Sequence, residues 1–255
     1  MKTQKIYTVI KVASFSALLS GTGSAQSGGT IPAVPVGSLS AYPTIVQTGT
    51  KPTLTWAATY PSVVQNHVEI IAPSTLKLKK ALDVQIRVLG NGVTASSSSS
   101  SNTFTWVDAE AQLSFKNGSY SRIFYGKNTS VNPSNIVWSR TKLQTAANDT
   151  LRFGGRYYHN NAWATTFTTS SSGSAKNNIR TLVNGDTPPT ITPMHTAPSL
   201  EYFIKPYLDG NGKVKIGPMD VIVFMELTHT NVNDPGYDLQ DMVLLVTFTD
   251  NTASN

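Results

Sequence analysis

Apolar and polar residues alternate one for one through long stretches of this chain, and that period leaves little choice of fold. Val84, Ile86 and Val88 alternate with Asp83, Gln85 and Arg87. Further on, Val107, Ala109, Ala111, Leu113 and Phe115 alternate with Asp108, Glu110 and Gln112. In an extended strand successive side chains point to opposite faces, so each run presents one apolar and one polar face. Leu54 and Trp56 begin the same pattern. Tyr120 to Tyr125, Ile136 to Ser139, Leu151 to Phe153 and Trp163 to Thr168 read as shorter strands.

Two runs differ from the rest. Met219 to Thr228 and Met242 to Thr249 are apolar at nearly every position, as expected of central strands covered on both faces. Gly90-Asn91-Gly92 and Asp209-Gly210-Asn211-Gly212 predict tight turns, because Gly and Asn tolerate positive φ. Ser96 to Ser101 and Ser170 to Asn178 predict loops with nothing to bury. Helical periodicity is scarce. The expected fold is all-β, a single antiparallel β-sandwich of immunoglobulin-like or jelly-roll-like type over residues 51–255.

The first 25 residues predict export. Lys2, Lys5 and Lys11 form a basic head, Val12 to Leu19 a short apolar run, and Gly23-Ser24-Ala25 a small-residue exit. That is the layout of a secretory signal peptide cleaved after Ala25, and its apolar run is too short to span a bilayer. No membrane span is expected in the mature chain. Residues 26–50 follow as an arm or linker rich in Pro, Gly, Ser and Thr, with Pro32, Pro35 and Pro43 favouring extended backbone. An extended arm of this kind can also add a strand to a neighbouring subunit. The destination is the extracellular space, the cell surface or the periplasm.

The chain contains no cysteine, which excludes disulfides, thiolate metal sites and N-terminal cysteine lipidation. For an exported chain this favours a bacterial source. The net charge of +6 falls once the leader is removed: of 20 Lys and Arg, three lie in the leader, leaving 17 against 14 acidic residues, or +3. The basic residues are scattered apart from Lys77, Lys79 and Lys80. Nucleic acid is therefore not an expected partner.

Three groups of residues could carry chemistry. Glu226, Asn231, Asn233, Asp234, Asp238 and Asp241 place many oxygen ligands within sixteen residues, the kind of donor set calcium uses. The same Asn and Asp residues also suit a plain polar turn. Arg156, Tyr157, Tyr158, His159 and Trp163 form an aromatic hairpin suited to stacking and hydrogen-bonding sugar rings. Tyr157 and Tyr158 must point to opposite faces of a strand, so at most one of them joins Trp163. Asp108 and Glu110 share a strand face and could act as acid and base in a glycosidase, although an exposed polar face accounts for them with fewer assumptions. His67, His159, His195 and His229 have no metal-ligand spacing, and no nucleophile elbow or phosphate loop is present.

Glu226-Leu227, a polar loop, Gly236-Tyr237-Asp238-Leu239-Gln240-Asp241 and the apolar strand Val243 to Phe248 together resemble a closing hairpin. Similar hairpins occur in secreted bacterial β-sandwich domains of surface, matrix and anchored proteins. The resemblance covers about 30 residues, and it differs from the usual pattern at Leu227 and Gln240. It implies an extracellular, non-catalytic domain.

These readings lead to an expectation of a secreted bacterial structural or adhesive protein. It would act by binding or self-assembly at the cell surface or in the matrix, with itself or surface glycans as partner. The alternative is a carbohydrate-binding module, followed by a glycoside hydrolase. Calcium is the one cofactor the residues suggest.

Overall fold

In the computed structural model the described residues are 38–43, 54–59, 61–71, 73–96, 104–188, 204–234 and 236–251. The leader, most of the arm, His195 and most of the serine tract lie outside them. All the described residues belong to one compact unit, Val36–Asn255. Sixteen strands are described. The first eight are β1 (Ser38–Pro43), β2 (Leu54–Thr59), β3 (Val68–Ile71), β4 (Thr75–Leu78), β5 (Asp83–Gly90), β6 (Thr94–Ser96), β7 (Phe104–Trp106) and β8 (Asp108–Phe115). The rest are β9 (Ser121–Gly126), β10 (Ile136–Arg140), β11 (Thr150–His159), β12 (Ala162–Trp163), β13 (Phe167–Thr168), β14 (Ile179–Val183), β15 (Asp220–Met225) and β16 (Met242–Thr249).

Two antiparallel sheets make the sandwich. One runs β10-β5-β16-β15-β14, and the other runs β3-β4-β11-β8-β9, with β12 and β13 also pairing with β11. The alternating faces of β5, β8 and β11 meet between them. Val84, Ile86, Ala109, Ala111, Leu113, Leu151, Phe153, Leu244, Val246 and Phe248 are all buried in one apolar cluster. Burying the Val, Leu, Ile and Phe side chains among these is worth about 1.5–3 kcal/mol each, so this interface is the main source of stability.

Central placement of the two most apolar strands follows as expected. β16 lies third of five, and β15 lies beside it. Their second faces are covered too. Ile222, Phe224 and Val243 pack with Leu89, Ile204, Val214 and Leu239 in a separate apolar cluster outside the five-stranded sheet. The turn at Asp209 is built as expected: Asn211 and Lys213 donate their N–H groups to Asp209 Oδ1, and Gly212 takes φ 74°. Among the described residues no helix is long and apolar enough to cross a membrane.

Several elements differ from the sequence reading. Leu54 and Trp56 lie in a strand, but β2 pairs with β1 in a ribbon of its own and not with the sandwich sheets. Gly90-Asn91-Gly92 is not a hairpin turn: β5 pairs with β16 and β10, and β6 pairs with β7. Asn91 is instead buried and donates to the carbonyls of Val107 and Gly126, while its Oδ1 accepts from Val93 N. A side chain that replaces ladder partners in this way lets the chain leave one sheet for the next. Leu151 to Phe153 extends into the ten-residue β11, which turns at Asn160 and Asn161, both at positive φ.

Candidate functional site

Two places gather the side chains that carry chemistry. One is the closing hairpin between β15 and β16, and the other is the outer face of the seven-stranded sheet.

At the hairpin, Glu226 directly follows β15 and is fully buried. Its Oε1 accepts from the N–H groups of Thr228 and His229 and from the Thr228 hydroxyl, and its Oε2 accepts from the N–H groups of Asp238 and Leu239. Five donors on one carboxyl explain how a loop with little apolar content keeps a defined shape. A buried acceptor with this many donors avoids the desolvation penalty of an unmade bond. Asp241 Oδ2 accepts from Leu227 N across the hairpin mouth. The Thr228 hydroxyl lies 2.7 Å from His229 Nδ1. A Cβ at position 236 would sit 2.4 Å from His229 Cε1, so only glycine leaves room for that ring.

Burial dominates the electrostatics here. It pushes the Asp238 carboxyl up to about 7, helped by the charge of Glu226 and opposed by the Gln240 N–H and by His229. Asp241 is raised well above the carboxylate range, first by burial and then by the charges of Glu226 and Asp238. Among the described residues neither aspartate has a Lys or Arg ion-pair partner. Of the residues proposed from sequence as calcium ligands, Glu226, Asp238 and Asp241 lie together, whereas Asn231, Asn233 and Asp234 belong to the turn beside them. Asn231 Oδ1 accepts from Asn233 N and Asp234 Oδ1 from Gly236 N, both plain turn bonds. The Glu226 oxygens face N–H hydrogens, which repel a cation. Among the described residues no group of three or more His, Asp or Glu is arranged to hold a metal ion.

A cleft of about 240 Å³ opens beside this hairpin, lined by Tyr157, His159, Thr228, His229, Asp238 and Asp241 together with residues 92–95. It divides the aromatic group proposed from sequence. Tyr157 and His159 face the cleft. Arg156, Tyr158 and Trp163 take the opposite face, with Tyr158 paired in register to Trp163 and the two rings 5.2 Å apart.

The outer face centres on Glu110. Its carboxyl is buried, and it accepts from Arg122 Nε at 2.5 Å, from Arg156 Nε at 2.7 Å and from Gln112 Nε2. Burial alone would raise its pKa, but these three hydrogen bonds and the Arg156 charge together hold it below the usual range. A carboxyl held ionised by two guanidiniums is a poor general acid, which counts against Glu110 in the acid-base pair with Asp108. Both arginines stack on aromatic rings. Arg156 Cζ lies 4.3 Å and Arg122 Cζ 5.5 Å from the Trp163 centroid, and Arg122 lies 4.9 Å from that of Tyr125.

Arg122 and Tyr125 were not legible as site residues. Three positions apart on a regular strand, they would face opposite ways. The register between β8 and β9 shifts at Ala111/Gln112, so that Gln112 opposes Arg122 while Glu110 opposes Tyr125. A bulge of this kind re-aims side chains, and nothing in the local sequence marks it. No family model matches this chain, and no curated protein or solved structure matches it either.

Proposed function

We propose that this chain is a non-catalytic structural or adhesive protein, exported by a bacterium, that acts by binding or self-assembly at the cell surface or in the extracellular matrix. The observation that carries this reading is the β1–β2 ribbon. Among the described residues these strands pair only with each other. An isolated two-stranded ribbon is marginally stable in water, and its unpaired edges suit the addition of a strand from another copy. The buried carboxyls also favour binding over catalysis, because Glu110 and Glu226 are committed to guanidinium and amide partners. The test is light scattering on residues 26–255 across a range of concentrations, beside the variant Leu39→Pro, which removes a ladder donor from β1. Oligomers that grow with concentration and vanish in the variant are expected. A monomer at every concentration would overturn the assembly reading.

A second reading, carbohydrate binding, is favoured by the outer-face patch of Tyr158, Trp163 and Arg156. In that case Trp163→Ala loses retention on polysaccharide while its far-ultraviolet circular dichroism is unchanged.

A further inference from the structure

We infer that the outer-face patch around Trp163 recognises carboxylate-bearing sugars, as in a polyuronate, in preference to neutral glycans. This rests on the carbohydrate-binding reading and specifies its ligand class. A neutral sugar needs a bare aromatic face for its C–H groups to stack on. Here the Trp163 ring carries Arg156 and Arg122, and the Tyr125 ring carries Arg122. The patch therefore presents cations where a neutral-sugar platform would present rings.

Both guanidiniums are held in place. Each donates its Nε–H to Glu110, and each rests on a ring that restricts its rotation. Among the described residues no protein acceptor takes a hydrogen bond from their Nη groups. Arg122 is 50% exposed and Arg156 29%, so these groups remain in reach of a ligand. A planar guanidinium with free Nη–H groups matches a carboxylate in a bidentate fork, and prior fixation lowers the entropy lost on binding. Tyr125, 45% exposed, borders the Arg122 guanidinium and the Trp163 ring at the rim of the patch. Asp108 lies on the same strand face as Glu110 and makes no ion pair with either arginine, so it opposes an anionic ligand. Its removal should strengthen binding.

The test is affinity electrophoresis of the chain from residue 26 at physiological salt, through gels holding polygalacturonate, the same polymer fully methyl-esterified, or polyglutamate. Retention on polygalacturonate is expected, weakened roughly tenfold by esterification, a difference of about 1.4 kcal/mol. Arg122→Gln, on an edge strand and half-exposed, should lower it by a similar factor, and Asp108→Asn should raise it. Equal retention on the esterified polymer would overturn the preference for carboxylates and leave carbohydrate binding standing. Equal retention on polyglutamate would overturn the sugar as occupant. No retention on any polymer, with circular dichroism unchanged, would overturn both readings.

Discussion

Glu110, on β8, and Glu226, just past the end of β15, are both buried carboxyls, yet they are stabilised in different ways. Glu110 meets two guanidiniums and an amide, and its pKa falls below the ordinary range. Glu226 meets four backbone N–H groups and a hydroxyl, none of which carries a charge. Amide donors satisfy its lone pairs, but they do not neutralise the hairpin. Asp238 and Asp241, buried beside it, are pushed up first by their own burial and further by the Glu226 charge. Both a counter-cation and N–H dipoles stabilise a buried carboxylate, but only the cation cancels its charge, so the Glu226 charge adds to the burial penalty of the acids beside it.

The strongest way to break this comparison is Glu226→Ala. It strands five donors at once and should cost roughly 3–5 kcal/mol in urea unfolding. A loss below about 1 kcal/mol would mean that the loop finds other acceptors. Gly236→Ala should cost about 1–3 kcal/mol by driving His229 from its seat, and the His229 ring signals in a proton spectrum should shift with it. Glu110→Ala should cost less than Glu226→Ala, roughly 1–2 kcal/mol, because both arginines can turn to water. The reverse order would invert the comparison.

The pH profile sharpens the contrast. Asp238 and Asp241 have folded pKa values above their unfolded ones, so the native state holds more protons than the unfolded chain from about pH 4 upward, and for Asp238 up to about 7. Their contribution to stability is therefore full below about pH 4 and is lost as the pH rises toward 7, by no more than about 1.4 kcal/mol per pH unit for each proton. Glu110 has the opposite sign. Its contribution is present above the ordinary glutamate pKa and is lost as the pH falls through the lowered folded value. Asp241→Asn should flatten the decline toward neutrality, and Glu110→Gln should flatten only the acid limb. Unfolding free energies at one-unit intervals from pH 3 to 8 would test both. The smallest expected effect is that of calcium: millimolar calcium should move the melting temperature by less than about 1 °C. A larger rise, abolished by Asp238→Ala, would show that the hairpin rearranges to take the ion.

Much of the fold was legible where burial acts locally. The alternation in Asp83 to Val88 and in Asp108 to Phe115 marked half-buried strands, and the two-faced hydrophobicity of Met242 to Thr249 marked a central one. The Asp209 turn followed from its glycines and asparagine. Residues whose role depends on a distant partner were harder to read. Gly90-Asn91-Gly92 has hairpin chemistry, but Asn91 bonds to Val107, between β7 and β8, and to Gly126, at the end of β9. Glu110 looked like a solvated strand residue until Arg122 and Arg156 covered it.

For this protein the amino-acid sequence alone determined the class of fold, the strands at Asp83 to Val88, Asp108 to Phe115 and Met242 to Thr249, the absence of disulfides and the split of Tyr157 from Tyr158, because these follow from period, composition and the geometry of a single strand. The tertiary structure alone decided which carboxyl found a cation and which found amides, where the β9 bulge fell, and which of the aromatic rings carried guanidiniums. Those outcomes depend on contacts between residues tens of positions apart, and their energies appear only once the sheets have brought those residues together.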